Sequence, residues 1–322
     1  MVMHPADHGR APRGAGGPSG RIVTLHLADH VRAPCGSRGC TSRITFTRDR
    51  PALLKTEANR DVSKVARGFD SSPSWPYTIG MRLPVIEGVI RRRLLVNFSA
   101  DPAVVARLLP SPLRPKLAGD RAVVGICLIR LEQVRPRHLP AALGIASENA
   151  AHRIAVSWTD GGVEREGVYI PRRDTSSKLN HLAGGRLFPG EHHLAHFEVA
   201  DDGKAVDLRM RAEDGGAAVD VRAALGEGFA SSLFPSLAAA SQFFRAGSLG
   251  YSPRSEGRCL DGITLHTEEW KVEPLRVESV RSSFFEDPAR FPKGTIDFDC
   301  ALVMRDIPHE WHSEPDLVVG DA

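Results

Sequence analysis

Beyond residue 80 the chain alternates short apolar runs with polar breaks. Strands are predicted over residues 89–98, 122–131, 152–158, 166–171, 192–199, 205–210, 217–223, 263–272 and 295–304. Several alternate with period two, as in Thr295-Ile-Asp-Phe-Asp-Cys-Ala-Leu302, so one sheet face should be wetter than the other. Asp160-Gly-Gly162, Asp202-Gly203 and Asp214-Gly-Gly216 fall between such runs and signal hairpin turns. Three short helices are expected. Residues 101–109 carry Asp101 as N-cap, Pro102 in the first turn and Pro110 as a stop. Residues 177–182 follow Thr175 and Ser176 and end at Gly184, and residues 236–246 end at Gly247, a plausible left-handed cap. Regular βαβ alternation is missing. The pattern predicts one α+β domain over residues 81–322, with a mainly antiparallel sheet or partial barrel and a few short helices.

The first 80 residues have another character. They are rich in Arg, His, Gly, Pro and Ser and sustain no helical or strand period, so burial could not offset the entropy of ordering. They read as a disordered leader or translated upstream sequence, with Met81 as the candidate true start. Within them, His26-x3-His30-x4-Cys35-x4-Cys40 gathers four soft ligands, but the spacing matches no common zinc module, and no metal is predicted.

Composition narrows the classes. An apolar fraction of 42%, a charged fraction of 25% and a net charge of +3 suit a globular chain and give no nucleic-acid footprint. No run of 18 apolar residues and no signal-peptide core occur, so the expectation is a cytoplasmic protein without membrane association. The cysteines are too few and scattered for a disulfide framework; Cys127 and Cys300 lie in apolar strands and read as small buried hydrophobes. A homo-oligomer is left open.

Candidate chemistry concentrates in residues 167–197, which hold Arg172, Arg173, Asp174, Lys178, His181, His192, His193 and His196 around the breaks Gly184-Gly185 and Pro189-Gly190. A Schiff-base lysine needs its proton affinity lowered by desolvation or neighbouring positive charge. Lys178, near a helix start and following two arginines, meets that need best; Lys116 and Lys293 look like loop lysines. His192 and His196 share one strand face about 13 Å apart, too far for one metal ion. His309-Glu-Trp-His312 is one residue short of the helical zinc-protease spacing. Arg91, Arg92 and Arg93 enter a strand, Arg91 and Arg93 on one side and Arg92 on the other, where a buried guanidinium would grip a carboxylate bidentately. Glu148 is a candidate partner or general base. No phosphate loop, dinucleotide fingerprint or nucleophile elbow is present, and no cofactor is predicted.

Taken together, Arg92-Arg-Leu-Leu-Val-Asn-Phe98, the helix over 101–110, Leu113-Arg-Pro115, Gly125-Ile-Cys-Leu-Ile-Arg130, Ser147-Glu-Asn149 and the 167–197 segment resemble an uncharacterised bacterial group, the domain of unknown function 2071 family of the acetoacetate decarboxylase-like superfamily. The resemblance covers residues 84–312 and implies a cone-like antiparallel barrel around a pocket. The superfamily's decarboxylases form a Schiff base between a β-keto acid and a lysine in a Gly-Phe-Pro-Lys-Lys-Leu-Ala type run. The comparable run here is Phe188-Pro-Gly-Glu-His-His-Leu-Ala195, so His192 and His193 stand where the lysine pair would be. Imidazole forms no protonated imine, which puts that reaction in doubt. The expected function is therefore binding of a small carbonyl or carboxylate compound. Arg91 or Arg92 would hold a carboxylate, His192 would line the pocket, Glu148 and His193 would handle protons, and Tyr169 would donate a hydrogen bond. The alternatives are a Schiff-base lyase or decarboxylase using Lys178, and a non-catalytic sensor or structural barrel.

Overall fold

The computed structural model describes residues 84–183, 190–254 and 259–320. The leader, its His/Cys pattern, Met81, Gly184-Gly185 and Pro189 lie outside the described residues. Thirteen strands form among those described. They are β1 (Ile86–Ala100), β2 (Arg114–Pro115), β3 (Leu117–Ala118), β4 (Arg121–Pro136), β5 (Ile145–Asp160), β6 (Val163–Thr175), β7 (His192–Asp201), β8 (Ala205–Ala212), β9 (Ala218–Leu225), β10 (Leu249–Pro253), β11 (Cys259–Thr267), β12 (Glu273–Ser282) and β13 (Ile296–Val318). Three α-helices join them: α1 (Pro102–Ala106), α2 (Lys178–Ala183) and α3 (Leu237–Ala246).

Local chemistry sets several boundaries. Asp101 accepts from the Ala103 N–H at 2.8 Å and caps α1, with proline at its first positions. Ser236 caps α3 through the Ala239 N–H at 3.2 Å. Gly247 closes α3 at φ −83°, so the expected left-handed cap is not made; the chain turns straight into β10.

The architecture is α+β, with one mixed sheet closing in a ring. Its order is β11-β10-β6-β7-β8-β9-β12-β13-β1-β4-β5-β2, and β11 also pairs with β13, and β6 with β5. The contacts of β6 with β7 and β10 are parallel; the other pairings are antiparallel. Closure depends on long strands that change partners. β13 meets β12 through Ala301–Val303 and β11 through His309–Val318. β6 meets β10 at Val168 and Tyr169, then β7 from Arg173 to Thr175.

Strand alternation gives the central β1–β4–β5 sheet two different faces. Leu94, Val96, Ile126, Leu128 and Ile154 pack on one side against Leu208, Met210, Val219 and Val221. Leu95, Cys127, Ala151 and Ala155 lie on the other, with Phe234, Ala240 and Phe244.

Several elements depart from the sequence expectation, among them β11, β12 and β13. β12 is a strand without clean alternation, because a register shift between Val277 and Ser279 breaks the period. The expected 263–272 strand ends at Thr267, and Trp270 and Val272 pack onto a core cluster instead. β13 runs on through Pro308 to Val318, so His309-Glu-Trp-His312 is extended strand rather than helix.

Candidate functional site

The cavity lies on the Cys127 face of the central sheet. It has a volume of about 130 Å³, with walls including Ile90, Leu95, Ile129, Ile170, Phe243 and Phe244. That is room on the order of four water molecules at about 30 Å³ each. Set into these apolar walls are Arg93, Arg153, Arg173, Lys116, Cys127 and His192.

Strand register delivers the arginines. Arg93 and Leu95 share a β1 face, and Arg153 sits on β5 between Ala151 and Ala155 on the same side. Gly125 opposes Arg153 across β4–β5, and a Cβ there would strike the Val96 carbonyl and lie 3.3 Å from an Arg153 nitrogen. Arg173 comes from the end of β6, where its Nε donates to Ser252 Oγ at 2.9 Å. Gly190 makes a close approach nearby at φ +77°, where a Cβ would strike the Ser252 side chain.

Among the described residues, none of these three guanidiniums has a carboxylate within ion-pair distance. Arg93 donates to Cys127 Sγ at 3.6 Å and lies 5.6 Å from the Trp270 ring centroid. Arg153 donates to Asn97 Oδ1 and lies over Phe244 at 4.9 Å. Nε and Nη1 of Arg93, Nε of Arg153 and Nη2 of Arg173 are buried without a hydrogen-bond partner. Burial brings Arg173 down to about 10, with Asp261 pulling the other way; that carboxylate is itself ion-paired with Arg254. Lys116 is occupied: its Nζ pairs with Glu166 at 2.6 Å and lies over the Phe243 ring.

The residues singled out from sequence divide between this cavity and other places. His192 lines it, its Nδ1 donating to Gly190 O at 3.2 Å, and burial and then the Arg173 charge lower it to about 3. Arg91 is exposed, pairing with Glu132 and Asp306. It does not share the Arg93 face as expected, because β1 bulges against β4 between Ile90 and Arg92 and turns Arg91 out. Arg92 lies on the opposite face, 4% exposed, bound to Glu148 at 2.6 Å and to Asp201 at 3.4 Å, with Arg305 also holding Asp201. Burial pushes the Glu148 carboxyl up, against the opposing pull of Arg92 and Arg130.

Tyr169 is in the core on that opposite face, while its neighbours Val168 and Ile170 line the cavity. His193 points away from His192 and pairs with Asp214 at 2.9 Å, beside the Arg172–Asp174 pair. Lys178 is exposed at the start of α2 and does not line the cavity. His196 is 80% exposed, facing Glu213. Among the described residues no group of three or more His, Cys, Asp or Glu is gathered to hold a metal ion, and no helix is long and apolar enough to cross a membrane.

Arg153 is what sequence reasoning passed over, while Arg93 is named there without being chosen and Cys127 is read only as a packing residue. The signal was there: guanidiniums and a thiol at in-facing positions of otherwise apolar strands. A thiol in such a strand most often does no more than pack, which is why Cys127 reads as a small hydrophobe.

The comparisons with known proteins fit this architecture. The model of DUF2071, an uncharacterized conserved protein family, matches residues 89–296. The chain belongs to that family. No curated protein matches. Among solved structures, the acetoacetate decarboxylase from Legionella pneumophila is 12% identical with a TM-score of 0.43, covering 76% of this chain and 93% of its own. An acetoacetate decarboxylase-like enzyme from Sphingomonas wittichii RW1 is 14% identical with a TM-score of 0.50, covering 74% and 94%. By this second likeness the DUF2071 protein has an acetoacetate decarboxylase-like fold.

Proposed function

We propose that this DUF2071 protein binds a small organic carboxylate, with or without an adjoining carbonyl, in the arginine-lined cavity. One observation carries the reading: three guanidiniums with buried, unpartnered nitrogens line a cavity without a carboxylate beside them among the described residues. Burying an ion costs several kcal/mol unless it is paired, so such a set is retained at a cost that an anionic ligand offsets. Apolar walls with a few converging charges suit a compact amphiphilic anion. Cavity size limits the ligand to a few carbon atoms beyond its carboxylate.

This reading moves the carboxylate grip from Arg91 or Arg92 to Arg93, Arg153 and Arg173, and keeps His192 as a wall of the site. It gives Lys178 no part, since an exposed ammonium on α2 has neither desolvation nor access to the cavity. Isothermal titration of acetate, pyruvate, 2-oxobutyrate and acetoacetate tests it. Saturable binding of at least one is expected, weakened ten-fold or more by Arg93→Met, because a charge-assisted hydrogen bond contributes about 1.5–3 kcal/mol. A panel without a binder, or binding indifferent to Arg93→Met, would sink the proposal.

A further inference from the structure

We propose that Cys127 is the nucleophile of this cavity, adding through Sγ to the carbonyl carbon of a small 2-oxo carboxylate held by the arginines. The proposal rests on the reading of the cavity as a carboxylate site, and two observations support it.

The first is the setting of the thiol. Cys127 lines the cavity from the middle of β4, with Leu95 and Ala151 as its register partners on β1 and β5. The small Ala151 side chain leaves the space beside the sulfur open. Arg93 Nη2 lies 3.6 Å from Sγ. Burial alone would push the thiol up, but the Arg93 and Arg153 charges outweigh it and hold Cys127 below its ordinary value.

The second observation is Arg153. Its side chain belongs to a residue 4% exposed, it faces the same cavity, and its Nε has no hydrogen-bond partner. A guanidinium so placed supplies a donor for the substrate carboxylate or for the oxygen on which charge develops.

The step balances without an oxidant, reductant or leaving group. The Sγ–C bond forms as the carbonyl π pair moves onto oxygen, and the proton lost by the thiol ends on that oxygen, giving a thiohemiketal. Cys300 provides a control within the same molecule. It is also free and buried on this side of the sheet, but burial and the adjacent Asp299 push its thiol up to about 12.

The test treats the full chain with iodoacetate or iodoacetamide and maps alkylated cysteines by peptide mass spectrometry. Cys127 should react at least ten-fold faster than Cys300, and iodoacetate should outpace iodoacetamide at Cys127. Arg153→Met should abolish that preference for the anion. Labelling of Cys127 no faster than Cys300, or a preference for iodoacetamide, overturns the assignment. A second arm adds pyruvate labelled with carbon-13 at its carbonyl. A tetrahedral carbon signal should appear with the native protein and vanish in Cys127→Ser, which should still bind pyruvate by calorimetry. Bound pyruvate that keeps only its ketone signal overturns the nucleophile while the carboxylate reading stands. Failure of every carboxylate to bind overturns that reading instead, and the alkylation rates still decide the thiol.

Discussion

Arg92 and Arg93 are consecutive in β1, and the two faces of the strand treat their charges in opposite ways. Arg92 is met by Glu148 and Asp201, with Arg305 and Arg130 completing a cluster of alternating sign. Arg93 is met by a thiol and an indole ring, and two further unpaired arginines share its cavity. The first arrangement has its charges paired within the protein, although Nε of Arg92 and of Arg305 stays without a hydrogen-bond partner, and it links β1, β5, β7 and β13. The second has no carboxylate partner among the described residues, and under the proposed function an anion from outside supplies one. Arginine beside arginine in a strand thus separates a charge paired within the fold from one that meets no carboxylate among the described residues, because consecutive side chains take opposite faces.

The sharpest way to break this comparison is the same substitution at both positions. Arg92→Met strands Glu148 without its close partner, while Asp201 keeps Arg305, and should cost about 3–5 kcal/mol in urea unfolding. Arg93→Met removes a charge that has no carboxylate partner. The unliganded protein should be as stable as the native one or about 1 kcal/mol more so, while carboxylate affinity falls. Equal destabilisation by the two would mean that Arg93 is structural as well.

Acid sharpens the contrast further. His192 on the cavity face and His152 within the opposite core are both lowered to about 3, chiefly by burial. A histidine lowered in the folded state contributes stability that is whole above its unfolded value near 6.5 and lost as pH falls toward 3. Each therefore removes about 1.4 kcal/mol per pH unit below about 6.5. His192→Gln should flatten the acid limb of the stability profile by that slope. A saturating carboxylate should flatten the His192 contribution and leave that of His152 in place. An unchanged slope in His192→Gln would remove His192 from the buried neutral set.

The smallest effect is expected at Arg91. Its two ion pairs are exposed and screened by water, so Arg91→Ala should leave stability nearly unchanged in urea unfolding and carboxylate binding untouched. A ten-fold loss of affinity there would contradict the assignment of the cavity face.

Much of the fold was legible in the chain. Alternating runs located β1, β4–β9 and the first part of β13, and Asp101 and Ser236 marked the starts of α1 and α3. What was not legible has local causes. β12 hides its period behind a register shift, and β10 is five residues long. The far half of β13 follows a proline that usually ends a strand but here sits opposite Val89, beyond Asp306 at φ +53°.

The candidate site was legible only in part. His192 is in the cavity wall, and Glu148 and Arg92 are joined as expected partners, but they lie on the other face. Charge density drew attention to Lys178 and the histidine cluster. Charge density, however, marks solvent-facing segments as readily as sites, and Lys178 and His196 prove exposed.

The sequence by itself determined the family, the α+β class, most strand positions and the alternation that gives β1 two faces, because these depend on local periodicity and residue type. Only the tertiary structure decided which face encloses a cavity and which charges meet a partner. Arg92 and Glu148 are 56 positions apart, and Arg92 and Asp201 are 109 apart. Pairing over such distances follows from ring closure and from the bulge at Arg91, neither of which leaves a mark in local pattern. An unpaired arginine looks in sequence just like a paired one. The difference is made by what folds against it.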